Sequence, residues 1–215
     1  KRLESTTLYR SPGWHGPGGV VHRCGGTGPR SDRATPSPTA ARSGTVATLL
    51  VLGDSLSAEY GLPRGSGWVT LLGQRLDAAH PGWQVVNASI SGETTSGGRA
   101  RLPALLSKHS PRLVIIELGG NDALRGLSLQ QTREQLQAMV KASLSVGAKV
   151  LLLGMQMPPN YGAEVTRQFA ALFPATAKAT GAALVPFFLK GVGDDPDPTR
   201  WFQADRIHPN EAAQP

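Results

Sequence analysis

The sequence predicts an α/β fold built on a parallel β-sheet. Three observations carry this reading. Short apolar runs end in glycine or turn residues, amphipathic stretches at helical spacing lie between them, and the two types alternate about five times along the chain. Residues 46–52 form the first apolar run and stop at Gly53; Val85 with Val86, and residues 113–118, 150–153 and 184–188, repeat the type. Trp68, Leu71, Leu72 and Leu76 share one face of an expected helix. Leu136, Met139, Val140 and Leu144 share another, in a segment opened by Ser128, whose hydroxyl suits an N-cap. A third helix is expected over residues 163–180, stopped by Gly181, and a shorter one includes residues 102–108. Parallel strands need right-handed crossovers, so helices are expected on both faces of the sheet. Ligands of such sheets sit outside the carboxyl ends of the strands, which makes the residues just after each strand the place to look for chemistry.

The chain has 215 residues, enough for one sizeable domain, and no apolar run approaches the length that spans a bilayer. Cys24 is the single cysteine, so neither an intrachain disulfide nor a cysteine cluster for zinc can form. The net charge of +7 is unevenly spread: residues 1–44 carry a net +5 and the remainder a net +2. A nucleic-acid or anionic-lipid partner would need clustered arginines, and those of residues 1–44 are dispersed. Gly, Pro, Ser and Thr make up 23 of those 44 residues, with neither strand nor helix period. Residues 1–44 are therefore expected to be a disordered or non-native extension, with the folded domain over residues 45–215. No secretory signal with a continuous apolar segment is visible.

Four clusters follow the expected strands. They are Gly53-Asp54-Ser55-Leu56-Ser57, Asn87-Ala88-Ser89-Ile90-Ser91-Gly92, Gly119-Gly120-Asn121-Asp122 and Asp205-Arg206-Ile207-His208-Pro209. Together they hold what acyl transfer requires. A serine hydroxyl such as Ser55 attacks a carbonyl once a base takes its proton, and His208 can be that base. Asp205, three residues from His208, can fix the imidazole tautomer and stabilise its cation. Negative charge on the tetrahedral intermediate calls for aimed donors: the Ser55 N–H, the Gly92 N–H and the uncharged Asn121 amide are candidates. Asp54 and Asp122 are expected to bond loop backbone.

These four clusters resemble the conserved blocks of the SGNH, or GDSL, hydrolases. Residues 49–57, 85–92, 101–106, 117–122, 158–162, 184–188 and 208–215 are similar to the bacterial multifunctional thioesterase I/lysophospholipase/arylesterase branch. The resemblance covers about residues 46–215. It implies a flavodoxin-like three-layer α/β/α sandwich with a five-stranded parallel sheet and a catalytic triad of Ser55, Asp205 and His208. It also implies an oxyanion hole of Ser55, Gly92 and Asn121. The implied substrates are short- to medium-chain carboxylic esters, acyl thioesters or lysophospholipids, with no metal or cofactor. Loops at residues 94–102 and 158–161 are expected to frame the acyl pocket, and Tyr161, Met157 and Pro158 are the expected substrate-binding residues. The implied partners are small-molecule acyl substrates only, with no nucleic acid and no stable membrane insertion, for a monomer that is periplasmic or secreted.

The chain departs from the family pattern in places. Glu93 stands where an aspartate usually follows the block glycine, and Arg206 stands where a small residue, usually glycine, separates the last aspartate and histidine. If that position needs positive φ, Arg206 adds strain. Pro209 suits a first helical position, and the C-terminal helix expected from the family is cut short at Pro215. An α/β-hydrolase would need Gly-x-Ser-x-Gly, and no serine has glycine at both positions. A phosphate-binding module would need a Gly-rich phosphate loop, which is also missing. The remaining alternative is an inactive remnant of the hydrolase, which an esterase assay separates from an active one.

Overall fold

The computed structural model describes residues 46–215; the expectation of a disordered extension over residues 1–44 lies outside them. Five strands form one sheet: β1 (Ala47–Gly53), β2 (Trp83–Asn87), β3 (Leu113–Glu117), β4 (Lys149–Leu153) and β5 (Ala183–Val185). Their order is β2-β1-β3-β4-β5 and every neighbouring pair is parallel. This is the flavodoxin-like order, in which the connections reverse direction between β1 and β3. Among the described residues five α-helices connect the strands: α1 (Trp68–Ala79), α2 (Thr95–His109), α3 (Gly120–Leu124), α4 (Leu129–Ser145) and α5 (Ala163–Thr180).

Alternation along each strand divides the core in two. Leu50 and Leu52 of β1, Val114 and Ile116 of β3, and Val150 and Leu152 of β4 point to the face covered by α2, α4 and α5. Leu49 and Val51, Ile115 and Leu153 point the opposite way, toward α1. Three layers result, as expected. On the α1 side, the described residues leave an apolar groove of about 440 Å³ over β3, β4 and β5, lined in part by Leu113, Leu151 and Val185. Residues 211–213 form one 3₁₀ turn where Pro209 suggested a helix start.

The helices begin and end where side-chain chemistry directs. The Ser128 hydroxyl accepts from Gln131 N–H at 3.3 Å, a cap worth about 1 kcal/mol. Gly181 ends α5 at φ 78, a left-handed turn that glycine adopts without strain. α4 buries Leu136, Met139 and Val140, each contributing about 1.5–3 kcal/mol of apolar transfer. Its core face continues through Ser143 instead of the expected Leu144, which is exposed; Ser143 Oγ donates back to Met139 O. α2 starts at Thr95, seven residues before the stretch 102–108 expected within it, because Gly97 and Gly98 disguise its first turns as a loop. Gly98 is there for close packing: a Cβ would lie 2.4 Å from Leu118 Cδ1. β5 ends at Val185 instead of running to residue 188, since Pro186 has no N–H for the ladder.

Candidate active site

The turn after β1 begins with a glycine whose replacement would force its neighbours to shift. A Cβ on Gly53 would meet Ser57 Oγ at 2.7 Å and Glu117 Oε2 at 2.8 Å. Asp54 follows, buried, and its two oxygens have separate duties: Oδ1 accepts from Leu56 N–H at 3.1 Å and Oδ2 from the Asn121 amide at 3.0 Å. Ser55 sits between them at the rim of the sheet. The Asp54 carbonyl accepts from the Ser57 and Ala58 N–H groups, tightening the turn that presents the Ser55 side chain.

The second cluster enters from β2. Gly92 adopts φ 78, a conformation that favours glycine, and its carbonyl accepts from the Arg125 guanidinium at 2.9 Å. Arg101 clamps the loop by donating from Nε to Glu93 Oε2 at 2.7 Å and from Nη1 to Ala88 O. Glu93 thus serves as an anchor for the loop despite its extra methylene. The third cluster follows β3. Asn121 lies in the first turn of α3, a five-residue helix that the sequence did not reveal. Asp122 turns inward to accept from the Thr95 backbone at 2.9 Å, tying α3 to α2.

The fourth cluster is a hairpin that comes back across the rim. Gln203 N–H donates to His208 O at 2.8 Å and Asn210 N–H donates to Trp201 O at 2.8 Å. Gln203 Nε2 also donates to Tyr60 O at 2.8 Å, fastening the hairpin to the loop after Ser55. At its tip Arg206 adopts φ 57, the left-handed region that the usual small residue would accept without strain. The turn aims Asp205 Oδ1 at the Ile207 and His208 N–H groups, at 2.9 and 3.0 Å.

The arms meet in one line of hydrogen bonds. His208 Nε2 lies 2.8 Å from Ser55 Oγ, and His208 Nδ1 lies 2.7 Å from Asp205 Oδ2. The carboxylate selects the tautomer with the proton on Nδ1, leaving Nε2 to accept from the serine. The Tyr60 ring packs against the imidazole with centroids 4.4 Å apart. Partial burial alone would raise the Asp205 pKa. The His208 and Ile207 N–H groups and the imidazole overcome it and lower the carboxyl to about 2. Burial pushes Asp54 up, opposed by its bonds from Leu56 and Asn121. It pushes Glu117 well above the usual carboxylate range, and the neighbouring Asp54 charge pushes the same way.

Ser55, Gly92, Asn121 and His208 all line one cavity of about 670 Å³, the size of a ligand site. Among the described residues neither the Ser55 N–H nor the Gly92 N–H has a protein acceptor. Met157 and Pro158 line the cavity, whereas Tyr161 is exposed and outside its lining. Residues 94–102 do not frame it either; their place is taken by Leu124, Phe187, Leu189 and Phe202. Those wall residues come from segments without periodicity, and Phe187 falls in the run 184–188 expected as a strand. The one available signal was the cluster of large apolar residues just past β5. No group of His, Cys, Asp and Glu among the described residues could hold a metal.

Against known proteins, the GDSL-like lipase/acylhydrolase family matches residues 51–214. The chain belongs to that family. Relatives of this GDSL hydrolase include esterase TesA of Pseudomonas aeruginosa, 53% identical over 168 residues, covering 78% of this chain and 82% of the relative. A protein of Escherichia coli named as thioesterase, protease and lysophospholipase is 44% identical, covering 81% of each chain. Among solved structures, the psychrotrophic esterase EstA of Pseudoalteromonas, inhibited by monoethylphosphonate, superposes with a TM-score of 0.73. It is 42% identical and the match covers 78% of this chain and 90% of that one. The fold of this GDSL hydrolase is thus the five-stranded parallel sandwich shared by solved family members.

Proposed function

We propose that this GDSL hydrolase cleaves short- to medium-chain carboxylic esters, and acyl thioesters or lysophospholipids, through an acyl-enzyme on Ser55. The observation that carries the reading is the continuous line from Asp205 through His208 to Ser55, with both links at hydrogen-bond distance. His208 Nε2 takes the hydroxyl proton as Ser55 Oγ attacks the carbonyl carbon. The carbonyl oxygen becomes an oxyanion that the Ser55 and Gly92 N–H groups and the second Asn121 amide proton stabilise. Collapse breaks the bond to the alkoxide or thiolate, which leaves with the proton from His208. Water then repeats the sequence on the acyl-enzyme and releases the acid. Asp205 stabilises the imidazolium of each step and holds its ring.

The acyl chain is assigned to the cavity walled by Met155, Met157, Leu124 and Phe187, which supports apolar chains of varied length. Met157 and Pro158 are its contacts from the loop after β4, and Tyr161 belongs at most to the outer approach. The relatives' printed activities support ester and thioester substrates alike. All these residues come from one chain, so a monomer suffices, and the chemistry calls for neither a cofactor nor a nucleic-acid partner. Among the described residues no helix is long and apolar enough to cross a membrane. The family resemblance supports a periplasmic or secreted location, which cell fractionation tests.

The decisive assay is hydrolysis of p-nitrophenyl esters and acyl thioesters over a chain-length series. Activity on short and medium chains, abolished by Ser55→Ala, is the expected result. A folded protein inactive on all of them would favour an inactive remnant.

A further inference from the structure

Glu117 has no part in the mechanism above, yet it is a fully buried carboxyl at the end of β3, beside the turn that carries Ser55. It closes β3 opposite Gly53 of β1. Its Oε2 accepts from Ser57 Oγ at 2.8 Å and from Asp54 N–H at 3.3 Å. Its Oε1 is buried and receives no donor. Among the described residues the titratable group that faces it is the Asp54 carboxyl, with His208 beyond that. No ion pair among the described residues reaches either carboxyl. Two adjacent buried carboxyls without a cation cannot both be ionised. Asp54 receives donors on both oxygens, which favours its charged form, while Glu117 has an empty oxygen where a proton can sit.

We propose that Glu117 is a positioning residue that stays protonated at neutral pH, donating from Oε1 to Asp54 and thereby holding the Asp54 carboxylate that aims the Asn121 amide. The chain of contacts runs Glu117 to Asp54 to Asn121, with Ser57 and the backbone of the Ser55 turn held on the other oxygen. A neutral acid performs this without adding a second negative charge beside the developing oxyanion. Glutamine has the same shape and can both donate and accept there, so it should replace Glu117; alanine should not.

The test uses the full chain and three proteins: wild type, Glu117→Gln and Glu117→Ala. Infrared spectra at neutral pH read the proton without relying on catalysis. The carbonyl band of a buried protonated carboxylic acid is expected in wild type and lost in Glu117→Gln. Catalysis, which rests on the proposed ester hydrolysis, reads the positioning. Glu117→Gln is expected to keep wild-type kcat, and Glu117→Ala to lower kcat by up to about 100-fold with KM little changed. A missing band, a band that persists in Glu117→Gln, or a kcat loss in Glu117→Gln as large as in Glu117→Ala would each overturn the proposal. Should Glu117→Ala fail to fold, the glutamine variant still decides it. Should wild type hydrolyse no ester, the reaction assignment fails, while the infrared band and the NMR shifts of the Asn121 amide protons still test Glu117. Unchanged Asn121 shifts in Glu117→Ala would count against positioning.

Discussion

The two halves of the candidate site are built from different materials. The nucleophile half, around Asp54, Ser57, Glu117 and Asp122, is polar but buried, with each of these four side chains at most 3% exposed. Its geometry is fixed by the sheet, because Gly53 and Glu117 end adjacent strands and Asp54 follows Gly53 directly. The base half, residues 205–207, is exposed, and its geometry is fixed by a hairpin, two N–H bonds to one carboxylate and a single arginine in a left-handed turn. Oxyanion donors benefit from being immobile, since preorganisation is what makes them effective. A base that must take and return a proton needs its orienting partner nearby, and a hairpin supplies that without a place in the core.

This contrast ranks the substitutions. Ser55→Ala and His208→Ala interrupt the reaction itself and are expected to lower kcat by at least about 10⁴-fold, measured on p-nitrophenyl butyrate with circular dichroism confirming the fold. Asp205→Asn leaves the hairpin in place but removes the charge that selects the tautomer. A loss of about 10³- to 10⁴-fold in kcat, exceeding any rise in KM, is expected. The opposite split would make Asp205 a substrate-binding residue. Asn121→Ala removes one donor from the rigid half, and a kcat lower by about 100-fold is expected. Unchanged kcat would remove Asn121 from the oxyanion hole.

Smaller effects separate the halves by stability. Asp205 has a folded pKa depressed from 3.8 to about 2. Its carboxylate therefore stabilises the fold above about pH 4, and that contribution is lost as pH falls toward 2. Asp205→Asn should flatten this part of the acid unfolding curve; an unchanged curve would mean that the hairpin bonds are absent in solution. Arg206→Gly exchanges relief of a left-handed side chain for a more flexible unfolded chain. A change of no more than about 1 kcal/mol in either direction is expected, whereas Arg206→Val should cost about 1–2 kcal/mol. Urea unfolding measures both, and equal stability of the two variants would contradict the role given to φ at this position.

The sequence made the strands and their rim legible because parallel strands are short and apolar, and because chemistry falls just past their ends. All five strands, α1, α4 and α5 were readable from spacing and from Ser128 and Gly181. The residue type usual at Arg206 raised the question of positive φ there, and the structure answers it with φ 57. What stayed hidden has physical reasons. The first turns of α2 carry Gly97 and Gly98, chosen for close packing over helix propensity. Tyr161 lies beside the right loop but faces solvent, since a single aromatic residue carries no periodicity to orient it. Phe187, Leu189 and Phe202 reach the cavity from a segment whose path depends on tertiary packing. Glu117 lies inside the run 113–118 expected as a strand, and only the neighbouring strand reveals which groups its buried carboxyl meets.

The central claim is that Ser55 is the nucleophile, and covalent capture tests it most directly. A p-nitrophenyl alkylphosphonate should release one equivalent of p-nitrophenol as the serine oxygen bonds to phosphorus. Mass spectrometry of the digested protein is expected to place one adduct on the peptide containing Ser55, with activity falling in proportion. An adduct on another residue, or hydrolysis that survives in Ser55→Ala, would contradict the account.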